Sequence, residues 1–221
     1  HQLSLAIYLL DQIMGEGKLM SEVIGAGALN RLDPADRARA QRLATETLRS
    51  MERVDRLLQR HLQKYPATTV RNALRIGTYE LCQGEAAHGV VNAMVSIISK
   101  HKRYGHLKGL VNAVLRKVAD KGPAQWPSLR TPRLPSWLRK PLVQAWGSEA
   151  VMGMETAFYA PTPLDLTPKT DAAAVAQATG ARFCPQDRCG WWMRGKCPPC
   201  RVSPLATGGC RMLPPPCRPA F

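Results

Sequence analysis

The segment Lys100-His-Lys-Arg-Tyr-Gly-His-Leu-Lys108 places four cations and an aromatic ring within nine residues. Cations grouped in this way can hold backbone phosphates, and Tyr104 can stack on an unpaired base. Lys100, Lys102, Arg103 and Lys108 also admit a plainer reading, because basic side chains settle on the C-terminal carbonyls of a helix. Arg116 and Lys117, adjacent near another helix end, carry the same two readings. Arg71 and Arg75, one turn apart, could form a rail for phosphates or simply solvate a helix face. Arg37, Arg39 and Arg42, spread over one and a half turns, pose the same choice.

Other reactive side chains offer less. His61, His88, His101 and His106 show no metal spacing. Of seven cysteines only Cys82 precedes residue 184, and within a helical pattern it reads as a small core residue. Cys184, Cys189, Cys197, Cys200, Cys210 and Cys217 crowd the last 38 residues. Cys197-Pro-Pro-Cys200 has the spacing of a zinc knuckle, but no second such pair follows it and no His follows His106. No catalytic, cofactor-binding or metal-binding residue is therefore expected in this chain.

The net charge is +15 over 221 residues, and residues 1–183 alone carry 25 Lys and Arg against 15 Asp and Glu. Such an excess favours polyanions. No apolar run approaches the roughly 18–20 residues of a membrane span, and no basic helix face is backed by an aromatic stripe. Nucleic acid is thus the expected partner and a membrane is not; a merely soluble basic protein is the bland alternative. The absence of a signal peptide and the near-absence of cysteine from the main body point to a reduced, cytoplasmic setting. A chain that opens on His1 instead of Met suggests a partial sequence.

The elements that must carry these residues are helical. Leu3, Ile7, Leu10 and Met14 repeat at helical spacing, and Gly15 and Gly17 end the pattern. Residues 18–30 read as a short helix and a loop. Asp33 can cap a helix with Pro34 in its first turn. Leu43, Thr47, Met51, Val54, Leu58 and Leu62 then line one face of a long helix to about Tyr65, with a possible break near Glu52. Three more helices are marked by Val70 to Leu81, by Val90, Met94, Ile97 and Ile98, and by Leu107 to Val118. Short loops make neighbours antiparallel and packed. Pro123, Pro127, Pro132 and Pro135 predict a linker over 121–133. From Leu134 a helical pattern runs to about Tyr159. Leu164 to Pro168 reads as a strand, Ala172 to Thr179 as a helix and Ala181 to Phe183 as the start of another strand, an α/β unit that does not finish. There are no internal repeats.

Three blocks are familiar together. Val70-Arg-Asn-Ala-Leu-Arg-Ile-Gly-Thr-Tyr-Glu-Leu81 resembles the central helix of NusB-type domains, as do Val90-Val-Asn-Ala-Met-Val-Ser-Ile-Ile-Ser-Lys100 and Leu107-Lys-Gly-Leu-Val-Asn-Ala-Val-Leu-Arg116 their own counterparts. Leu134-Pro-Ser-Trp-Leu138, Trp146-Gly-Ser-Glu149 and Ala160-Pro-Thr-Pro-Leu-Asp-Leu166 extend the resemblance. Over roughly residues 3–183 the chain is similar to bacterial rRNA cytosine-C5 methyltransferases of the Fmu/Sun (RsmB) type. Three departures stand out. Met94 replaces an acidic residue common in the family, Ala86-Ala87 replaces a more usual Pro, and the basic arm before the first helix is missing.

The resemblance implies a set of expectations. Residues 1–120 would be an all-α, NusB-like RNA-binding bundle, 121–133 a Pro-rich linker, 134–183 an incomplete small α/β module, and 184–221 an irregular, aberrant tail. The partner would be RNA, specifically small-subunit rRNA. S-adenosylmethionine would serve the full-length family, whose cysteine attacks C6 of cytosine; this chain, without the methyl-donor domain, would be inactive alone. A one-base displacement of Thr207-Gly-Gly-Cys-Arg-Met-Leu213 can read Asp-Trp-Trp-Val-Gln-Asp-Ala, similar to a block preceding the family's donor domain, so a frameshift after Phe183 is expected. The rival is a NusB-type antitermination factor that binds RNA and a ribosomal protein, and regulates transcription. A zinc-dependent adaptor using the tail is the third reading.

Overall fold

A computed structural model describes residues 2–161 and, beyond them, 164–166, 174, 177, 182–184 and 188–191. Eight helices occupy the first stretch: α1 (Gln2–Glu16), α2 (Met20–Gly25), α3 (Pro34–Arg49), α4 (Met51–Gln59), α5 (Thr68–Cys82), α6 (Ala87–Ser99), α7 (Lys108–Gln125) and α8 (Ser136–Tyr159). The start of α3 is set locally. The Asp33 carboxylate accepts the Asp36 amide at 2.8 Å, and Pro34 supplies a fixed φ where no donor is needed. The long helix expected over 33–65 is two helices, divided at Ser50 (φ −97°, ψ 7°) and finished at Gln59.

The bundle is organised around α5, which packs against α1, α3, α4, α6 and α7. Periodicity marks one apolar face of α5, but the helix is buried almost all round, from Val70 through Leu81. Three of its buried polar positions are met by distant helices. Asn72 donates to Asp11 of α1 at 2.7 Å, Arg39 of α3 donates to Glu80 at 3.0 Å, and Arg75 donates to Asp55 of α4. Burial pushes the Glu80 carboxyl up, against the pull of Arg39. Gly77 admits the closest approach: a Cβ there would lie 2.9 Å from Leu115 and 3.2 Å from Met94. Met94 is wholly buried in this core. Ala87 opens α6 at the position a Pro would also suit.

The predicted linker over 121–133 is for the most part not a linker. α7 continues through Pro123 to Gln125, and a 3-10 turn spans Trp126–Ser128. A Pro in the last turn removes one hydrogen bond without breaking the helix behind it. Trp126 is buried, meets Tyr79 edge-on at 6.3 Å, and lies 4.3 Å from the Arg53 guanidinium, which also donates to its carbonyl. The following strap is fastened on Glu52, which accepts the Arg133 amide at 2.7 Å and pairs with Arg130 and Arg56. Burial raises the Glu52 pKa, but these donors outweigh it and hold the group below its ordinary value.

In α8, Gly147 (φ 82°) marks a kink, and Trp137, Trp146 and Phe158 are exposed. Arg53 donates to the Tyr159 hydroxyl at 2.8 Å and so ties the end of α8 to α4.

Residues 160–221 are a second unit. Its described part is a three-stranded antiparallel sheet of order β1-β3-β2, with β1 Leu164–Leu166, β2 Arg182–Cys184 and β3 Arg188–Trp191. Leu164 faces Trp191 across one ladder, and Phe183 faces Cys189 across the other. The strands expected at 164 and 181 are present. β3, however, falls in the stretch expected to be irregular, and β2 crosses the boundary set after Phe183. Of the helix expected over 172–179, Ala174 and Gln177 are described and helical. Cys197, Cys200, Cys210 and Cys217 lie outside the described residues.

Candidate nucleic-acid interface

The α6–α7 connection is rigidly built. α6 ends with Lys100 in helical conformation as its C-cap, and the His101 amide donates to the Ile98 carbonyl at 3.0 Å. The Gly105 amide donates to the His101 carbonyl at 2.9 Å, and a Cβ on Gly105 would sit 2.9 Å from the Ser99 carbonyl oxygen. The loop therefore folds back onto α6 only because residue 105 has no side chain. A 3-10 turn, Gly105–Leu107, leads directly into α7.

Lys100, Lys102, Arg103, His106 and Lys108 are exposed on this frame. Among the described residues no carboxylate pairs with any of these five, nor with Arg116 or Lys117, which are exposed on α7. The C-capping alternative accounts for Lys100, at the negative end of α6. It does not account for Lys108, which stands at the positive N-terminus of the 18-residue α7, where no acid occupies the first turn. Cations there add to a field that already favours anions.

Tyr104 departs from expectation. It is half-buried and packs against the core, and His101 stacks on it at 4.8 Å and 24°. Arg103 approaches the same ring at 5.6 Å. The ring thus props the loop, and one of its faces is already taken.

Three of the arginine candidates are engaged within the bundle. Arg75, with 4% of its side chain exposed, donates to both Asp55 oxygens at 2.8 and 2.7 Å and to Asn72 at 3.0 Å. Arg71 shares Asp55 at 2.9 Å and stacks over Tyr65 at 4.0 Å. The phosphate rail read from their spacing is instead an internal ion-pair network. Arg39 is committed to Glu80, and Arg37 is half-buried with its Nε enclosed. Sequence spacing could not show this, because the partners lie 16 to 41 residues away. Arg60 and Lys121, not among the sequence candidates, make with His61 and Lys117 a second group of basic residues toward the far end of α7, for which the i,i+4 spacing of Lys117 and Lys121 is the available sequence signal.

Burial pushes the Cys82 thiol up to about 12, which leaves it protonated and unreactive. Among the described residues no cluster of three or more His, Cys, Asp or Glu could hold a metal, and no helix is long and apolar enough to cross a membrane.

A helical bundle built on a buried central helix, with its uncompensated cations on the last hairpin, defines a class. Residues 3–120 match the NusB family, and the chain belongs to it. Among curated proteins it is similar to ribosomal RNA small subunit methyltransferase B of Thermus thermophilus, 35% identical over 135 residues, which are 60% of this chain and 32% of that protein. The methyltransferase B of Pseudomonas putida is 32% identical over 155 residues, 66% of this chain and 35% of that protein. The chain thus spans about a third of the length of these relatives. Among solved structures, T. maritima NusB aligns with 58% of this chain and 94% of its own, at 22% identity and a TM-score of 0.47.

Proposed function

We propose that this chain binds RNA through its NusB-type bundle, and that it serves as the RNA-recognising part of a methyltransferase acting on small-subunit rRNA. The observation that carries the first half is the α6–α7 loop: Lys100, Lys102, Arg103 and Lys108 project from a rigid frame with no carboxylate partner among the described residues. The similarity to two methyltransferase B proteins supports the second half. In such an enzyme the methyl group would come from S-adenosylmethionine, and cytosine C5 would receive it. In this reading those steps would fall to a part of such an enzyme outside the matched third. This chain's share is to grip the RNA, and no methyl transfer by it alone is proposed. The ribosomal-protein partner of an antitermination factor has no observation in its favour.

Replacing Lys102 and Arg103 together by Ala tests the reading. Each neutralised phosphate of single-stranded RNA contributes roughly −0.7 to the slope of log affinity against log salt. The double variant should bind a single-stranded rRNA fragment more weakly, with a slope flattened by about one unit. Unchanged affinity and slope in a folded variant would remove the loop from the interface.

A further inference from the structure

We propose that Arg60, His61, Lys117 and Lys121 form a second phosphate-holding site at the junction of α4 and α7, which takes a backbone phosphate of bound RNA. This rests on the RNA-binding reading above but uses none of the same residues. Arg60 caps α4 in helical conformation, and its guanidinium donates to the Gln125 carboxamide oxygen on the last turn of α7. That bond holds the end of α4 against α7. His61 follows directly, half-buried, its amide donating to the Leu58 carbonyl at 2.9 Å. Lys117 and Lys121 stand one turn apart on α7 and therefore project from the same side.

The charges that shift His61 are of one sign. Burial depresses its pKa most, and then Lys117, Arg60 and Lys121 each lower it further. The groups facing it are thus Arg60 from α4 and two lysines from α7. At two other places in the described bundle close cations are arranged around acids: Arg71 and Arg75 converge on Asp55, and Arg56 and Arg130 on Glu52. The acid on this stretch of α7, Asp120, makes no ion pair with Lys117 or Lys121 among the described residues, and cations so grouped cost stability by self-repulsion unless an anion joins them. A phosphate oxygen would find two ammonium groups, the remaining guanidinium N–H groups and an imidazole whose protonated form a nearby anion favours. Lys117 lies nine residues beyond Lys108, about 13 Å along the helix axis, so one phosphate cannot serve both this cluster and the loop.

The test follows the His61 ring by proton–carbon NMR over pH 5–8 on the full chain, with the resonance assigned from a His61→Asn variant. Two probes are added in turn, inorganic pyrophosphate and a 12-nucleotide single-stranded RNA. Both should move the His61 titration to higher pH while leaving His88 unmoved, and Lys117→Gln with Lys121→Gln should abolish the movement. That double variant should also bind the RNA about fivefold more weakly at 0.1 M salt, the loss of one contact of slope about 0.7 referred to 1 M. A His61 titration indifferent to the RNA at saturation overturns the proposal, and so does a response to pyrophosphate alone, which would mark a small-anion site. If the Lys102 and Arg103 variant binds RNA normally while His61 still responds, the loop reading fails and this one stands.

Discussion

Asp55 is where the distinction between structural and RNA-facing cations can be measured. It accepts from Arg71 Nη2 at 2.9 Å and from Arg75 Nε and Nη2 at 2.8 and 2.7 Å. Asp55→Asn keeps the shape and removes the charge. Arg75, with 4% of its side chain exposed, would then be a buried cation without an anion. Removing one partner of a buried pair costs about 3–5 kcal/mol, far more than the pair's net worth, because the remaining charge stays desolvated. Two features place this case at the lower end, about 3 kcal/mol. Asn72 still accepts from Arg75, and Arg71, 28% exposed, can turn to water. Arg71→Gln should by the same logic cost no more than about 1 kcal/mol. Urea unfolding followed by far-ultraviolet circular dichroism reads the helices of residues 2–159 and gives both numbers, with little change in the slope m. The Lys102 and Arg103 double variant should leave the midpoint where it was. A loss below about 1 kcal/mol for Asp55→Asn would refute the argument that Arg75 depends on this carboxylate, and would return Arg71 and Arg75 to the list of candidate RNA contacts.

Two other outcomes follow from the packing. Gly77→Ala should cost about 1–3 kcal/mol in the same unfolding assay, because its new Cβ must displace Leu115 or Met94 in a filled core. Glu52→Gln should free residues 129–135 to limited proteolysis without unfolding α5. In the unaltered chain the strap should loosen likewise in acid: the Glu52 pKa is lowered on folding, so its contribution is present above the unfolded value and lost as pH falls through the folded one.

Local chemistry was readable in the residues themselves. Asp33 and Pro34 announce the start of α3, and the periodic blocks around Val70, Val90 and Leu107 mark α5, α6 and α7, because caps and apolar stripes are short-range signals. What could not be read is whatever depends on a distant partner. α5 looks one-faced in sequence, since Asn72, Arg75 and Glu80 count as polar; their burial is made possible by Asp11, Asp55 and Arg39, up to 61 residues away. The same blindness affects 121–133. Proline density there predicts a linker of restricted flexibility and no helix, but α7 runs on to Gln125, Trp126 packs against Tyr79 and Arg53, and Glu52 collects the strap that follows.

The candidate interface divides along the same line, and the chemistry of the two basic side chains explains how. In the ion pairs of the described bundle the cation is almost always arginine: Arg39, Arg56, Arg71, Arg75, Arg130 and Arg139 each meet a carboxylate from the protein. A planar fork loses less on desolvation and can engage two oxygens, so it suits a half-buried pair. Lysine, strongly hydrated and flexible, stays outside. Lys100, Lys102, Lys108, Lys117 and Lys121 all remain exposed and without an acid among the described residues. A charge count on the sequence treats the two residue types alike and so spreads the expected RNA surface over α3 and α5, where arginine is busy holding helices together. Weighting lysine over arginine confines that surface to the ends and outer side of α7. Arg60 and Arg103 are the exceptions, and Arg103, held beside Tyr104 and facing solvent, is the arginine on which the loop's affinity for RNA should depend most.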